Sequence, residues 1–258
     1  MCLLVLAWLS HPRYRLVVAG NRDEFHDRPA APLAWWNDAP EILAGRDLRA
    51  GGTWLGVTRS GRIGCLTNFR DADTTPPPDA PSRGALVTDY LRSGHPPAAH
   101  LDRLQEGARR YAGFNLLLGD RESLRYYSNV DGATSRELAP GIYGLSNHRL
   151  DEPWPKVLRT RERVAGVLAG AEPTAAELFA ALTDATPDPC GIRPESDLPA
   201  DLEQALTAPF VRHARYGTRS STVVLVAHEG PSVVHERRYD PAGAQTGATR
   251  IEFRDTAA

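Results

Sequence analysis

Cys2 follows Met1, and Asn21-Arg22-Asp23-Glu24 comes about twenty residues later. Removal of Met1, which the small side chain at position 2 permits, leaves one residue carrying both a thiol and a free α-amine. The amine can take the thiol proton and later return it to a leaving group, so nucleophile and base come together. Reference pKa values of roughly 8 for the amine and about 8.5 for the thiol make that transfer nearly isoenergetic. A neighbouring guanidinium favours the thiolate, and a carboxylate can orient the amine. Arg22 and Asp23 are therefore the first candidates to serve Cys2. The plainer reading makes Cys2 a small apolar residue opening a buried strand, and Arg22 to Glu24 a surface turn with one ion pair.

Three further residues have side chains suited to acyl chemistry. Asn68 and Asn147 are expected at strand ends, where a side-chain amide can donate to a developing oxyanion; asparagine is equally at home in turns. Arg219 lies in Tyr216-Gly217-Thr218-Arg219-Ser220-Ser221-Thr222, a hydroxyl-rich approach to a strand that could line a pocket. Other chemistries find less support. Gly51-Gly52-Thr53-Trp54-Leu55-Gly56 lacks the Gly-Lys-Ser/Thr ending of a phosphate loop and leads into a hairpin. The eight histidines are scattered without zinc spacing, and no Gly-x-Ser-x-Gly elbow supports a serine triad.

The elements that would position these residues follow from patterning. Leu3 to Leu9 and Tyr14 to Ala19, joined by Ser-His-Pro-Arg, read as a β-hairpin whose first strand is apolar on both faces. Gly20 is expected to break the second strand, leaving Asn21 to Glu24 in a loop beside Cys2. A second hairpin spans Thr53 to Asn68 around Arg59-Ser60-Gly61. Helical patterns cover 83–92, 98–111, 157–169 and 174–182, with strands at 114–118, 123–128, 141–145, 222–227, 232–239 and 250–253. Asp71 to Ser82 and Asp184 to Pro199 are Pro-rich loops. Strands arrive in antiparallel pairs with helices grouped between them, which predicts an α+β layered sandwich rather than alternating βαβ units. No linker divides residues 1–258, so a single domain is expected.

The chain has 258 residues and a net charge of -2, which gives no electrostatic reason to expect nucleic acid or an anionic membrane as partner. Among 30 basic residues Lys156 is the only lysine, a bias read as compositional. Cys2, Cys65 and Cys190 form no disulfide framework or metal motif, which fits a reducing cytosol. The apolar opening lacks the basic flank and cleavage site of a signal peptide, and no run approaches the ~20 apolar residues of a membrane span. A cytoplasmic protein acting on a small molecule, without a metal, is the expectation.

Taken together, Met1-Cys2, Gly20-Asn21-Arg22-Asp23-Glu24-Phe25, Arg28-Pro29, Gly51 to Gly56, Leu66-Thr67-Asn68, Gly144-Leu145-Ser146-Asn147 and Tyr216 to Thr222 resemble the NRDE family, the transport and Golgi organisation 2 group. More distantly, the layout is similar to N-terminal nucleophile hydrolases of the choloylglycine hydrolase and penicillin acylase group. That resemblance implies an αββα four-layer sandwich and an amide or thioester hydrolase. In it Cys2 is the nucleophile, Arg22 and Asp23 tune it, Asn68 and Asn147 hold the oxyanion, and Arg219 completes the site. The NRDE resemblance also implies an alternative without catalysis: binding or trafficking of haem, acyl-CoA or another lipid. One departure matters. The group separates its arginine and aspartate by two residues, whereas Arg22 and Asp23 are adjacent and should point in different directions.

Overall fold

The computed structural model describes residues 2–70, 77, 79–130, 132, 134–170, 172–189 and 198–254. Met1, Cys190, most of the Pro76 segment and residues 190–197 of the second Pro-rich segment lie outside the described residues. The chain builds β1 (Cys2–Trp8), β2 (Tyr14–Phe25), β3 (Ala30–Trp35), β4 (Ile42–Asp47), β5 (Leu55–Thr58) and β6 (Ile63–Asn68). Helices α1 (Gly84–Arg92) and α2 (Pro97–Gln105) follow, then β7 (Phe114–Gly119), β8 (Leu124–Ser128), β9 (Arg136–Glu137) and β10 (Gly141–Leu145). The last part holds α3 (Pro155–Leu168), α4 (Ala175–Leu182), α5 (Ala200–Ala205), β11 (Tyr216–Ala227), β12 (Pro231–Tyr239) and β13 (Gln245–Arg254).

These elements form two compact units, and each contains one antiparallel sheet. The first comprises residues 1–27, 140–146 and 150–252, with strand order β10-β1-β2-β11-β12-β13. Alternation along a strand sends successive side chains to opposite faces. Val5 and Ala7 of β1, Val17 and Ala19 of β2, and Val223 and Leu225 of β11 therefore share one face, where they meet Val164 and Leu168 of α3 and Leu178 and Phe179 of α4. All seven residues of β1 are buried, as its unbroken apolar run predicts. Helix α4 starts at a capping box: the Thr174 hydroxyl accepts from the Glu177 N–H, and the Glu177 carboxylate accepts from the Thr174 N–H.

The second unit comprises residues 28–139, 147–149 and 253–258, and its sheet runs β3-β4-β5-β6-β7-β8-β9 in sequence order. Its core joins Ile42, Leu66, Phe114 and Leu116 of the sheet to Leu86, Val87, Tyr90 and Leu91 of α1 and Leu101 of α2. Close approach here needs glycine: a Cβ on Gly52 would lie 2.5 Å from the Gly84 carbonyl carbon, where α1 begins.

Several sequence expectations are corrected. Asn21 to Glu24 is not a loop but the continuation of β2 through Gly20, because β2 is laddered on both sides, to β1 and to β11. Hydrogen bonds on both edges carry a strand through a glycine that would end it at an edge. Likewise Tyr216 to Ser221 does not precede β11 but opens it. Asn68 does end β6, whereas Asn147 stands two residues beyond the end of β10. Strands β3, β4 and β9 and helix α5 were not anticipated, β13 is longer than expected, and the helix expected over 98–111 ends as α2 at Gln105.

Candidate active site

The site of interest starts from register. Cys2 pairs with Arg22 across the β1–β2 ladder and Leu3 pairs with Asn21. Residues directly opposite on antiparallel strands share a face. Cys2 and Arg22 therefore stand on one face of the sheet, while Leu3, Asn21 and Asp23 stand on the other, the face covered by α3 and α4. The adjacent arginine and aspartate do point in different directions.

Each residue of the Asn-Arg-Asp-Glu run consequently has its own surroundings. Asn21 is fully buried: its Nδ2 donates to the carbonyls of Leu182 and Pro209, both at 2.9 Å, and its Oδ1 accepts from the Ser221 hydroxyl at 2.6 Å. It fastens the end of α4 and the segment after α5 to the sheet. Arg22 reaches Glu24, two residues on and on the same face, at 3.8 Å. Asp23 is buried; its Oδ1 accepts from the Thr218 hydroxyl at 2.7 Å, and its carbonyl accepts from the Tyr216 hydroxyl.

Strand β11 answers β2 residue by residue. Ser221 pairs with Asn21, Ser220 with Arg22 and Thr218 with Asp23, so one extra residue, Arg219, is inserted into β11. Without that bulge Thr218 and Ser221, three apart, would face opposite ways. The bulge puts both hydroxyls on the helix side, where Asn21 and Asp23 need them. It also re-aims Arg219, whose Nη1 donates to the His26 carbonyl at 2.7 Å beyond the end of β2.

Burial pushes the Cys2 thiol above its ordinary range, and the Asp23 carboxylate adds to the rise. Arg22 and a hydrogen bond from the Asp23 N–H to the sulfur act against it. Burial likewise raises Asp23, to about 6, with Lys156, the Thr218 hydroxyl and Arg22 all pulling it down. Lys156 was not among the residues singled out for the site. It lies in the first turn of α3, is 2% exposed, and donates from Nζ to the Leu206 carbonyl at 2.9 Å. The Cys2 carbonyl accepts from the Ser146 hydroxyl.

Of the six residues expected at the site, Cys2, Arg22, Asp23 and Arg219 belong to this unit. Asn68 and Asn147 belong to the other, and there they are tied to each other: the Asn147 Nδ2 donates to the Asn68 carbonyl at 2.9 Å, and the Arg70 N–H donates to the Asn147 carbonyl. Among the described residues no group of three His, Cys, Asp or Glu side chains could hold a metal ion, and no helix is long and apolar enough to cross a membrane.

Antiparallel sheets covered by helices match a known class of architecture. The chain is similar in structure to a Caenorhabditis elegans N-acylethanolamine-hydrolyzing acid amidase ortholog, with a TM-score of 0.50 and 8% sequence identity over 87% of this chain and 92% of that one. That likeness shows the fold, α+β of the N-terminal nucleophile hydrolase type. Within that class the chain belongs to the Transport and Golgi organisation 2 family, whose model matches residues 1–241. It is 33% identical to the Bos taurus Transport and Golgi organization protein 2 homolog over 98% of this chain and 99% of the relative. The Mus musculus homolog is 32% identical, with 92% of each chain covered.

Proposed function

We propose that this protein is a cysteine hydrolase of amides or thioesters in which Cys2, freed by removal of Met1, is the nucleophile. The observation that carries the reading is the placement of Cys2 at the first position of an inner strand, opposite Arg22 and under the Asp23 N–H. A buried thiol whose pKa is raised is a poor nucleophile until a base stands beside it, and the α-amine of a first-residue cysteine is such a base.

In this reaction the thiol proton passes to the amine as Sγ bonds to the carbonyl carbon. The C–N or C–S bond to the leaving group then breaks, and the leaving group takes the proton from the ammonium. Water adds to the thioester and gives a proton to the amine; the bond to Cys2 breaks and the sulfur recovers that proton. Arg22 stabilises the thiolate, and Asp23, a carboxylate above about pH 6, orients the ammonium. The oxyanion role of Asn68 and Asn147 and the part of Arg219 rest on the family resemblance.

The test is intact mass spectrometry of the purified protein before and after exposure to p-nitrophenyl acetate. The expected result is loss of one methionine and gain of one acetyl group on Cys2, abolished in Cys2→Ala with the fold retained. Equal acetylation of Cys2→Ala, or acetylation of a protein that keeps Met1, sinks the proposal. Saturable binding of haem or acyl-CoA that survives loss of Cys2, with no acylation, would favour the carrier alternative.

A further inference from the structure

Lys156 is the only lysine in a chain that otherwise uses arginine, and it is buried. Its position does nothing for its own helix. A cation in the first turn of α3 opposes the helix dipole, and that turn holds no acidic residue to offset it. The turn is instead seated on the nucleophile's strand: Trp154 and Val157 pack against Leu3, the residue after Cys2, and Leu3 pairs with Asn21, two before Asp23. Lys156 thus enters on the helix side of the sheet, the side to which Asp23 points. Its ammonium lies 5.6 Å from the Trp154 ring centroid and donates to the Leu206 carbonyl at the end of α5. An ammonium is a compact charge with three donors, whereas a guanidinium presents five in a rigid plane that a closed slot must satisfy. That difference accounts for a lysine at this one place.

We propose that Lys156 is a positioning residue of the Cys2 site, a buried counter-charge that keeps Asp23 a carboxylate and so holds the amino-terminal ammonium for its proton transfers. The inference rests on the hydrolase reading of Cys2. The charged and titratable groups acting on Asp23 include Lys156 from α3 and Arg22 from its own strand, and Asp23 in turn acts on the Cys2 thiol on β1. Burial works against the carboxylate and these cations work for it. The competing, purely structural reading is that Lys156 only caps α5.

Two variants separate the readings. Lys156→Gln retains a donor for the Leu206 carbonyl and removes the charge; Lys156→Met removes both at similar volume. The first readout is the titration of the Asp23 carboxyl carbon by NMR in selectively labelled protein, which needs no turnover. Both variants are expected to move its midpoint upward from about 6, by about one unit. The second is the pH dependence of acetylation by p-nitrophenyl acetate. A one-unit move lowers the rate at pH 6 about fivefold and leaves it unchanged above about pH 8. In an Asp23→Asn background the Lys156→Gln substitution should have no further effect on that profile. An unmoved Asp23 midpoint in folded Lys156→Gln overturns the proposal, and so does a rate loss equal at every pH. A moved midpoint with no acetylation of the wild type upholds the charge coupling, and the failure then falls on the hydrolase reading alone.

Discussion

Ionising Asp23 inside the folded protein carries a cost that can be read from its surroundings. Its carboxyl rises from 3.8 to about 6 on folding, with burial the largest cause. A group whose folded pKa is raised contributes stability that is full below its unfolded pKa and is lost as pH climbs through the folded value. The difference of about 2 units corresponds to roughly 3 kcal/mol, and about 2 of those fall between pH ~4.5 and ~7.5. The attraction of Lys156 and Arg22 is already inside that figure, since both hold the pKa below the value burial alone would set. Asp23→Asn has no proton to lose, and its side chain still offers the Thr218 hydroxyl an acceptor. The variant should therefore gain about 2 kcal/mol relative to the wild type between those two pH values, whatever fixed offset the amide brings. Urea unfolding followed by tryptophan fluorescence at both pH values reads the difference directly, provided the m-values agree. A wild-type-to-variant gap that stays constant with pH, or moves the other way, would refute the assignment of Asp23 as the strained carboxylate. If the prediction holds, the same variant should lose less stability as pH rises and, under the hydrolase reading, lose activity, as expected where a site keeps an unfavourable charge for its chemistry.

Asn21→Ala removes the partners of two buried carbonyls and of the Ser221 hydroxyl at once. A loss of about 3 kcal/mol or more is expected in equilibrium unfolding, and a loss under about 1 kcal/mol would mean that these groups find other partners. Gly52→Ala sets a Cβ against the Gly84 backbone rather than against a side chain that can swing away. It should cost roughly 1–3 kcal/mol, visible as a lower thermal midpoint, and a neutral result would show that the start of α1 shifts without penalty.

The outline of the fold was legible in the chain because its strands and helices carry strong periods. The apolar run of β1, the hairpin around Arg59-Ser60-Gly61, and the 3.6-residue patterns of α1, α3 and α4 needed no tertiary information. What was lost depends on neighbours distant in sequence. Gly20 breaks a lone hairpin strand, but it lies within β2 because β11 covers the second edge, and β11 comes from residues about two hundred positions later. Strands β3 and β4 are partly exposed and interrupted by Pro32 and Gly45, so alternation was too weak to mark them. At the candidate site, all six residues were singled out by side-chain chemistry, and the family resemblance gave them roles as a set; the ladder puts Cys2 opposite Arg22, as the hairpin reading expects. The burial of Lys156 was not anticipated, because its solitude was read as composition bias. The hydroxyls of Thr218 and Ser221 were noticed as a group, but their matching to Asp23 and Asn21 depends on the bulge at Arg219, which the sequence does not reveal.

The strand order of the first sheet also fixes when the site can exist. Cys2 and Asp23 are made about two hundred residues before Thr218, which holds the Asp23 carboxylate, and before β11, which completes the ladder of β2. A nascent chain that ends before Tyr216 has no strand to cover the second edge of β2 and no hydroxyl for Asp23. Cys2 therefore waits for its completed sheet until β11 is made, and pairing across so long a separation is slow. In the proposed hydrolase, the removal of Met1 would meet an open strand before β11 is made and a strand laddered on both sides of β2 afterwards. Maturation and folding are then in a race whose order the topology decides.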